Sequence, residues 1–273
     1  MRIVTIPIRS DNYMYVLMED RRNNEGDAPD VQANGVKALL VDPADPKPFD
    51  KISKALEKEE AGAVQIVGVL TTHHHQDHAG GNDIVAKQIP SINIYGGKPK
   101  NGPPQVLGVT NVVADNDEIS LGDSIKIRCL ATPCHTEDSI CYYVTNGDQK
   151  AVFTGDTLFQ GGCGRFFEGT PEEMHSSLSY LGRLPDETIV YNGHEYTRGN
   201  LKFAKSVEPL NEGLSRLEEL CDSNEITAGK STVGDEKQWN VFMRLDNTAI
   251  RQATGQDEPA AVMGKLREMK NAM

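Results

Sequence analysis

The 273-residue sequence lacks three features, each of which is typical of a particular class of protein. It has no Cys-x-x-Cys pair and an odd number of cysteines, five, so neither a disulfide framework nor a thiolate zinc knuckle is expected. No stretch reaches the ~18 apolar residues that a membrane span needs. Positive charge is scarce, because 28 Lys and Arg stand against 40 Asp and Glu, a net charge of -12. This charge repels phosphate backbones and anionic lipids, so neither nucleic acid nor a membrane is expected as a partner.

The composition is that of a folded protein, with 38% hydrophobic and 25% charged residues. The length suits one large domain or two unequal ones. Residues 1–18 contain no uninterrupted apolar core and no small-residue cleavage site of the kind found in signal peptides. The expected location is therefore the cytoplasm.

Short apolar runs between Gly, Pro, Asn and Asp dominate the first two-thirds of the chain and predict β-strands. The alternation of Val4, Ile6 and Ile8 predicts another strand, and the polar segment 19–35 predicts a surface loop. The apolar runs that predict strands are residues 36–41, 66–70, 124–130, 139–145, 151–154 and 188–191.

Helical patterns follow later in the chain. Thr170-Pro171-Glu172-Glu173 combines a cap, a first-turn proline and an acidic first turn, which predicts a helix start. From about Asn200 onward the apolar residues recur at helical spacing, as at positions 210, 214, 217 and 221. Strands first and helices last predict a sandwich-like domain followed by a helical one.

Four of the seven histidines lie within six residues, directly after the predicted strand 66–70. Because side chains alternate along an extended segment, His73 and His75 point to the same side and can share one metal ion. Asp77 and His78 lie beyond the strand end and can turn toward a neighbouring position. Neutral imidazole is the commonest metal ligand and a carboxylate adds a hard oxygen, so the cluster predicts a metal site.

Three further candidate ligands, His135, Asp156 and His194, each follow another predicted strand. Taken singly, each is more typical of a structural residue. Side chains on rigid strand ends can nevertheless converge on one cleft, and two metal ions need more ligands than the histidine cluster supplies. Their shared position therefore makes them candidates for the same site.

Several motifs resemble glyoxalase II, the hydroxyacylglutathione hydrolases of the metallo-β-lactamase superfamily. The His-x-His-x-Asp-His string at residues 73–78 is specific only to the superfamily, whereas two motifs are far more specific to glyoxalase II: Gly-Gly-Cys-Gly-Arg-Phe-Phe-Glu-Gly-Thr at 161–170 and Gly-His-Glu-Tyr-Thr at 193–197. The similarity extends over nearly the whole chain and includes residues 11–15, 132–136, 153–159, 201–204 and 231–237.

This resemblance implies an α/β fold, a four-layer αββα metallo-β-lactamase sandwich over residues 1–194, followed by a helical substrate-binding domain over residues 195–273. It also implies two divalent metal ions, with Zn expected and Fe or Mn as alternatives. The implied ligands are His73, His75 and His135 for one metal and Asp77, His78 and His194 for the other, with Asp156 as the bridge.

The reaction implied is hydrolysis of S-(2-hydroxyacyl)glutathione thioesters, chiefly S-D-lactoylglutathione to glutathione and D-lactate, in methylglyoxal detoxification. Metal coordination lowers the pKa of bound water to about 7, which yields a hydroxide nucleophile that Asp77 and Asp156 help to position. A thiolate leaving group, with a thiol pKa of about 8.5, needs little help from a general acid. By chemistry alone, an ester or lactone substrate would serve as well.

Glutathione thioesters carry two carboxylates, so their binding in an acidic protein requires fixed cations. By resemblance, the substrate contacts are Arg165, Phe167, Tyr196, Arg267 and Lys270, with the last two holding the glycine carboxylate of glutathione. Phe167 stands where the family often has Tyr, which removes one hydroxyl and a hydrogen bond worth about 0.5–1.5 kcal/mol. The protein is expected to be a monomer.

Four alternatives share this fold. An iron-dependent persulfide dioxygenase uses a single iron and has no comparable helical extension, and another hydrolase on this fold would take a different substrate. A related diiron oxygen reductase has Glu where this chain has His75. A non-catalytic metal-binding scaffold would be expected to have lost ligands, and none of the seven is missing here.

Overall fold

Two β-sheets packed face to face form the first two-thirds of the protein. The structure is a computed structural model that describes residues 1–20, 35–59 and 63–273. The strands of the first sheet, in spatial order, are β1 (Arg2–Ile8), β2 (Asn12–Met18), β3 (Val36–Val41), β4 (Val64–Leu70), β5 (Asn93–Gly96) and β6 (Asn111–Val112). The second sheet has the order β13 (Ile189–Asn192), β10 (Gln149–Gly155), β9 (Ile140–Asn146), β8 (Ile125–Ala131) and β7 (Glu118–Leu121).

A short hairpin and the helices complete the described chain. The hairpin consists of β11 (Leu158–Phe159) and β12 (Gly162–Cys163) and follows directly after β10. The helices in the sandwich part are α1 (Pro48–Lys58), α2 (Gln76–Ala79), α3 (Asn82–Gln88) and α4 (Pro171–Leu181). Those after it are α5 (Thr197–Val207), α6 (Gly213–Ser223), α7 (Val233–Trp239), α8 (Thr248–Thr254) and α9 (Pro259–Asn271), with a 3-10 turn at Val241–Met243.

The central strands β2, β3 and β10 are buried on both faces over most of their length, which explains why they contain apolar runs. In β3, Leu39 and Val41 face the second sheet, whereas Leu40 faces α1 and α3 on the outside. In the second sheet, Phe153 of β10 faces the first sheet and Val152 faces the helices that cover the opposite side. The layers therefore run helix, sheet, sheet, helix, which confirms the expected αββα fold.

The helices after residue 195 pack on the outer face of the second sheet beside α4. Phe203 of α5 and Leu266 of α9 belong to the same hydrophobic core as Leu130 of β8 and Met174 of α4. The capping box predicted at the start of α4 is present, since the Thr170 hydroxyl accepts the amide hydrogen bond that closes the first turn. The helical part thus shares a core with the sandwich.

The predicted strands and helices agree with the structure within two residues at almost every boundary. The clearest error is Leu210, which the spacing placed on a buried helix face but which is 93% exposed. Pro209 follows α5 and prevents its continuation, so the chain turns and α6 begins only at Gly213. Residues 21–34 of the predicted polar loop lie outside the described residues.

The sequence predicts neither a disulfide framework nor a membrane span, and the structure bears on both predictions. All five cysteines are free thiols, and all five are buried. Of the helices in the described ranges, none combines the length and the apolar character needed to cross a lipid bilayer.

A buried carboxylate joins the helical part to the hairpin. Glu236 of α7 is fully buried and accepts hydrogen bonds from the Gly161 amide at 2.8 Å and from the Asn240 side chain at 3.1 Å. Burial raises the pKa of Glu236 to about 7, because the charged form loses its hydration inside the protein. A carboxylate with a raised pKa in the folded state makes stability depend on pH.

We expect Glu236→Gln to stabilise the protein at neutral and higher pH. The charged carboxylate is penalised only in the folded state, so this cost is absent below the unfolded pKa of about 4.5, grows as the pH rises to about 7 and is constant above it. The gain in unfolding free energy at pH 8 should be at most about 3 kcal/mol and should vanish near pH 4.5. Urea titrations across this pH range measure it.

Glu208→Gln is the matched control. Glu208 is also buried, but its carboxylate pairs with Arg244 at 2.7 Å, so its amide variant should lose stability at pH 8. If Glu236→Gln has the same free energy of unfolding as wild type at every pH, the assigned cost of burying the carboxylate is wrong.

Candidate metal centre

The candidate ligands follow strand ends that meet at one edge of the sandwich. His73 comes shortly after β4, Asp156 directly after β10 and His194 shortly after β13. Backbone hydrogen bonds tie these strand ends together: the Gly193 amide donates to the Gly155 carbonyl at 2.8 Å, and the Ile140 amide donates to the Thr72 carbonyl at 2.8 Å. The loops that carry the ligands are therefore held at fixed separations.

The first group of ligands consists of three imidazoles. His75 Nδ1 lies 3.1 Å from His73 Nε2 and 3.1 Å from His135 Nε2. Tetrahedral Zn²⁺ with Zn–N bonds of about 2.0–2.1 Å places its nitrogen ligands about 3.3 Å apart. These nitrogens therefore have the spacing of ligands that surround a single metal ion.

The second group combines one carboxylate with two imidazoles. His78 Nε2 and His194 Nε2 are 3.2 Å apart, and Asp77 Oδ2 lies 3.4 Å from His194 Nε2 and 3.8 Å from His78 Nε2. These three side chains also form a compact set of metal-ligating atoms.

Asp156 lies between the two groups. Its Oδ1 is 3.3 Å from His78 Nε2, and its Oδ2 is 3.5 Å from His135 Nε2 and 3.3 Å from His194 Nε2. Asp156 Oδ1 is buried and has no hydrogen-bond partner among the described residues. A buried carboxylate oxygen without a partner is costly, and a coordinated cation would compensate that cost. The donor set therefore fits two divalent ions with a bridging carboxylate.

The electrostatics of the two groups differ. Burial lowers the pKa of His73, His75 and His135, which favours the neutral imidazole that binds metals. Burial also acts to lower the pKa of His78 and His194, but Asp156 and other neighbouring carboxylates outweigh it and raise the pKa of both, that of His194 to about 10. The pocket thus stabilises positive charge beside its carboxylates, and divalent cations can supply that charge.

Hydrogen bonds on the far side of the imidazoles fix their orientation. His78 Nδ1 bonds Asp42 Oδ2 at 2.9 Å, and His194 Nδ1 bonds Asp11 Oδ1 at 2.8 Å. His135 Nδ1 donates to the Arg165 carbonyl at 2.9 Å. Such partners set the tautomer so that the remaining nitrogen faces the metal with its lone pair.

The orienting role of these residues was not predicted from the sequence. Asp42 directly follows the predicted strand 36–41, so the strand-end criterion that selected Asp156 could have found it. Asp11 lies in a stretch that carried the family resemblance but was given no role. His74, which the sequence left without a role, bonds Asp138 at 3.0 Å and belongs to neither group of ligands.

A cavity of about 700 Å³ opens beside the ligands. It is lined by five of the candidate ligands, namely His75, Asp77, His135, Asp156 and His194. The same cavity is lined by every residue proposed to contact the substrate, namely Arg165, Phe167, Tyr196, Arg267 and Lys270. The structure therefore brings the two predicted sets of residues together.

Aromatic rings flank the cluster on two sides of this cavity. The Tyr196 ring stacks on His194 with centroids 4.7 Å apart and an angle of 6°. The Phe167 ring, which is 60% exposed, meets the His135 ring edge-on at 5.1 Å. Both rings also line the cavity beside the candidate ligands.

Two cations from α9 reach the other end of the cavity. Arg267 is 6% exposed and donates to the Cys163 carbonyl at 2.9 Å, while Lys270 lies over the Phe203 ring at 5.3 Å. Burial and the nearby Arg267 charge lower the pKa of Lys270 to about 8. Within the described ranges, no carboxylate lies within 4.0 Å of either cation. An anionic ligand would relieve the mutual repulsion of these cations.

Comparison with known proteins assigns the family. The metallo-β-lactamase superfamily matches residues 31–194, and the hydroxyacylglutathione hydrolase C-terminus matches residues 195–273. The chain is 45% identical over 234 residues to a probable hydroxyacylglutathione hydrolase of Schizosaccharomyces pombe, covering 85% of this chain and 88% of the relative. This chain belongs to the hydroxyacylglutathione hydrolase family.

Other relatives of the hydroxyacylglutathione hydrolase family extend the similarity to the whole chain. A cytoplasmic hydroxyacylglutathione hydrolase of Arabidopsis thaliana is 41% identical, with 99% of this chain and 98% of the relative covered. The cytoplasmic isozyme of Saccharomyces cerevisiae is 39% identical, with 96% and 94% covered.

Solved structures agree on the fold. The crystal structure of ETHE1 from Myxococcus xanthus has a TM-score of 0.61 at 24% identity, covering 98% of this chain and 91% of that one. At this identity the similarity supports the shared fold alone.

We expect Asp42→Ala to weaken metal retention about 10- to 100-fold, the usual effect of removing an orienting partner. Asp42 accepts from His78 and from the Thr72 amide and hydroxyl, so its loss frees the His78 ring and the start of the ligand loop. Metal content after dialysis against graded chelator measures the change.

Asp45→Ala is the control for this prediction. Asp45 is a buried neighbour that is not among the candidate ligand groups, and its one hydrogen-bond partner within the described ranges is the Lys47 amide, at 2.8 Å. Equal metal loss in Asp42→Ala and Asp45→Ala would show that Asp42 acts through general stability rather than through His78.

Proposed function

We propose that the protein hydrolyses S-(2-hydroxyacyl)glutathione thioesters, chiefly S-D-lactoylglutathione to glutathione and D-lactate, and so serves methylglyoxal detoxification. The observation that carries this proposal is one cavity lined both by candidate metal ligands and by the α9 cations, buried Arg267 and half-buried Lys270. The names of the curated relatives support the same activity.

Two divalent metal ions per chain are part of this proposal. His73, His75 and His135 would hold one ion, Asp77, His78 and His194 the other, and Asp156 both. Zn²⁺ suits the imidazole-rich donor set best, and Fe or Mn would also accept imidazole and carboxylate ligands. When bound, the ions supply a water of lowered pKa and a Lewis acid for the thioester carbonyl.

The residues of the chain prepare the site for this chemistry. Asp77 and Asp156 balance the charge of the ions and fix where water can bind. Asp77 is itself held by Asn12, whose amide donates to its Oδ2 at 3.0 Å. The His194 hydrogen bond keeps the pKa of Asp77 well below its usual range, so this carboxylate stays ionised.

Substrate binding is assigned to the cationic and aromatic lining of the cavity. Arg267 and Lys270 would bind the glycine carboxylate of glutathione, and Arg165 would add a third positive charge nearer the metal ligands. Tyr196 and Phe167 would flank the thioester between them. Since the leaving thiolate is stable near neutral pH, the absence of a hydroxyl on Phe167 does not remove a required acid.

Three further expectations belong to this proposal. The protein would act in the cytoplasm, as the names of two relatives suggest for those proteins. It would act as a monomer, since all the assigned side chains come from one chain. Residues 1–194 would form the catalytic domain and residues 195–273 the substrate-binding domain.

Steady-state hydrolysis of S-D-lactoylglutathione, with parallel metal quantification, tests the proposed function. Two metal ions per chain together with turnover are expected. One iron with oxygen uptake on a persulfide substrate would instead support a persulfide dioxygenase, and neither activity would support a metal-binding scaffold. If the protein hydrolyses only other esters or lactones, hydrolysis at this site is supported but the proposed glutathione specificity is wrong.

Asp156→Ala should lose one metal ion and most of kcat. The bridging position of Asp156 between the two groups makes it the carboxylate that screens the repulsion of two cations. Elemental analysis of the purified variant measures the metal. The control is Asp138→Ala, which removes a buried carboxylate whose partners in the described part of the chain, His74 and Thr136, lie outside the ligand groups. Unchanged metal content in Asp156→Ala would count against the bridge.

Arg267→Ala should raise KM about 10- to 100-fold with little change in kcat. A charge-assisted hydrogen bond to the substrate, worth about 1.5–3 kcal/mol, would be lost in the ground state and the transition state alike. Lys265→Ala on the same helix is the matched control, because Lys265 is exposed and pairs with Glu268. A defect confined to kcat would make the assigned carboxylate contact wrong.

A further inference from the structure

The hairpin β11–β12 is the segment that connects the metal ligands to the substrate-binding residues. It begins two residues after Asp156 and ends two residues before Arg165. Its Phe159 ring lies 5.3 Å from Tyr196 and 6.1 Å from His194. The backbone that leaves it supplies the Arg165 carbonyl, which orients His135. The position of this hairpin therefore affects both sides of the cavity.

The hairpin is too short to be stable on its own. Each of its strands has two residues, and only two residue pairs are in register, Leu158 with Cys163 and Phe159 with Gly162. A two-stranded hairpin is marginal in water even when it is much longer. Its turn carries buried polar backbone groups that must find partners elsewhere.

Two buried side chains of the helical part supply those partners. Glu236 accepts from the Gly161 amide at 2.8 Å. The Asn240 side-chain amide donates to the Gly162 carbonyl at 3.0 Å and to the Phe159 carbonyl at 3.3 Å. The same amide donates to Glu236 at 3.1 Å, so the two side chains form one unit.

Glu236 and Asn240 act from a distance. Both have no exposed surface, and neither lines the cavity beside the metal ligands. Asn200 also contacts the turn, donating to the Gln160 carbonyl at 2.9 Å, but it lines the cavity and could touch the substrate directly. Glu236 and Asn240 can thus affect the candidate ligands through the hairpin. Asn240 also accepts from the Phe242 amide at 3.1 Å, and the Phe242 ring lies 5.6 Å from the Arg267 guanidinium carbon.

Burying the Glu236 carboxylate at this position costs free energy. A buried carboxylate is disfavoured unless its hydrogen bonds compensate, and Glu236 Oε1 has no hydrogen-bond partner among the described residues. An apolar residue at this position would avoid the cost but would leave the Gly161 amide without an acceptor. A requirement to hold the hairpin turn in one position would explain why the protein carries this cost in free energy.

We propose that Glu236 and Asn240 are positioning residues of the active site, which fix the turn of the hairpin and through it Asp156, Phe159 and the Arg165 carbonyl. This inference rests on the proposed function for its kinetic consequence only. It assigns to the α7 region a role in the reaction, separate from the substrate contacts assigned to α9.

The test compares full-length Glu236→Met with Glu236→Gln, each prepared with its metal. Met fills the space of Glu236 without an acceptor, whereas the Gln carbonyl can still accept from Gly161 and Asn240. We expect Glu236→Met to lower kcat/KM for S-D-lactoylglutathione at least about tenfold and to weaken metal retention, and Glu236→Gln to restore both. Amide hydrogen exchange of residues 157–165 should accelerate only in the Met variant.

Ile250→Ala provides the control for stability. Ile250 is fully buried in α8 of the same helical part, and within the described ranges no hydrogen bond joins it to the hairpin. This variant should lose stability without faster exchange in residues 157–165 and without a change in kcat/KM.

Each outcome decides the inference. If Glu236→Met matches wild type in kcat/KM and exchange, or loses activity only in proportion to stability as Ile250→Ala does, Glu236 is structural and the inference is wrong. If Glu236→Met does not fold, Asn240→Ser, which removes the donor to Phe159 and Gly162 without exposing a charge, takes its place with the same expectations. If wild type hydrolyses no glutathione thioester, the proposed function fails, while exchange and metal retention still decide the role of the hairpin.

Discussion

The structure depends on one electrostatic constraint, the packing of two carboxylates among five imidazoles in a largely buried cleft. The lone pairs of the three nearest imidazole nitrogens converge at 3.1 Å, and Asp156 adds a buried oxygen without a hydrogen-bond partner in the described part of the chain. Such an arrangement is unfavourable unless positive charge lies within it. Divalent metal ions would meet this requirement and would connect loops that are far apart in the sequence.

The two sheets supply the rigidity that this constraint needs. Their strand ends place the ligands, and neighbouring loops supply Asp11 and Asp42 to orient the imidazoles from behind. The helical part of this acidic protein brings two cations, Arg267 and Lys270, to the cavity beside the candidate ligands. It also covers the outer face of the second sheet and shares its hydrophobic core.

The central strands were predictable because they are buried on both faces and therefore appear in the sequence as apolar runs. The ligand types were predictable because imidazole clusters after strands have few other uses. Leu210 shows where prediction from apolar spacing fails. Its spacing fitted a buried helix face, but Pro209 ended the preceding helix and Leu210 is exposed. The spacing does not take the neighbouring proline into account. The position of Asp42 after a predicted strand could have selected it, but its orienting role was not predictable, since no local pattern names a partner 36 residues away.

The sequence by itself determined which chemical groups the protein carries, the order of its strands and helices, and its net negative charge, since these follow from local pattern and composition. The tertiary structure alone decided which of these groups meet. His73 and His194 come from different sheets, Arg267 reaches the cavity from the last helix, and Glu236 reaches a hairpin 75 residues earlier in the chain. These contacts depend on how the layers pack, and packing depends on the shape of the whole core rather than on any short stretch of residues.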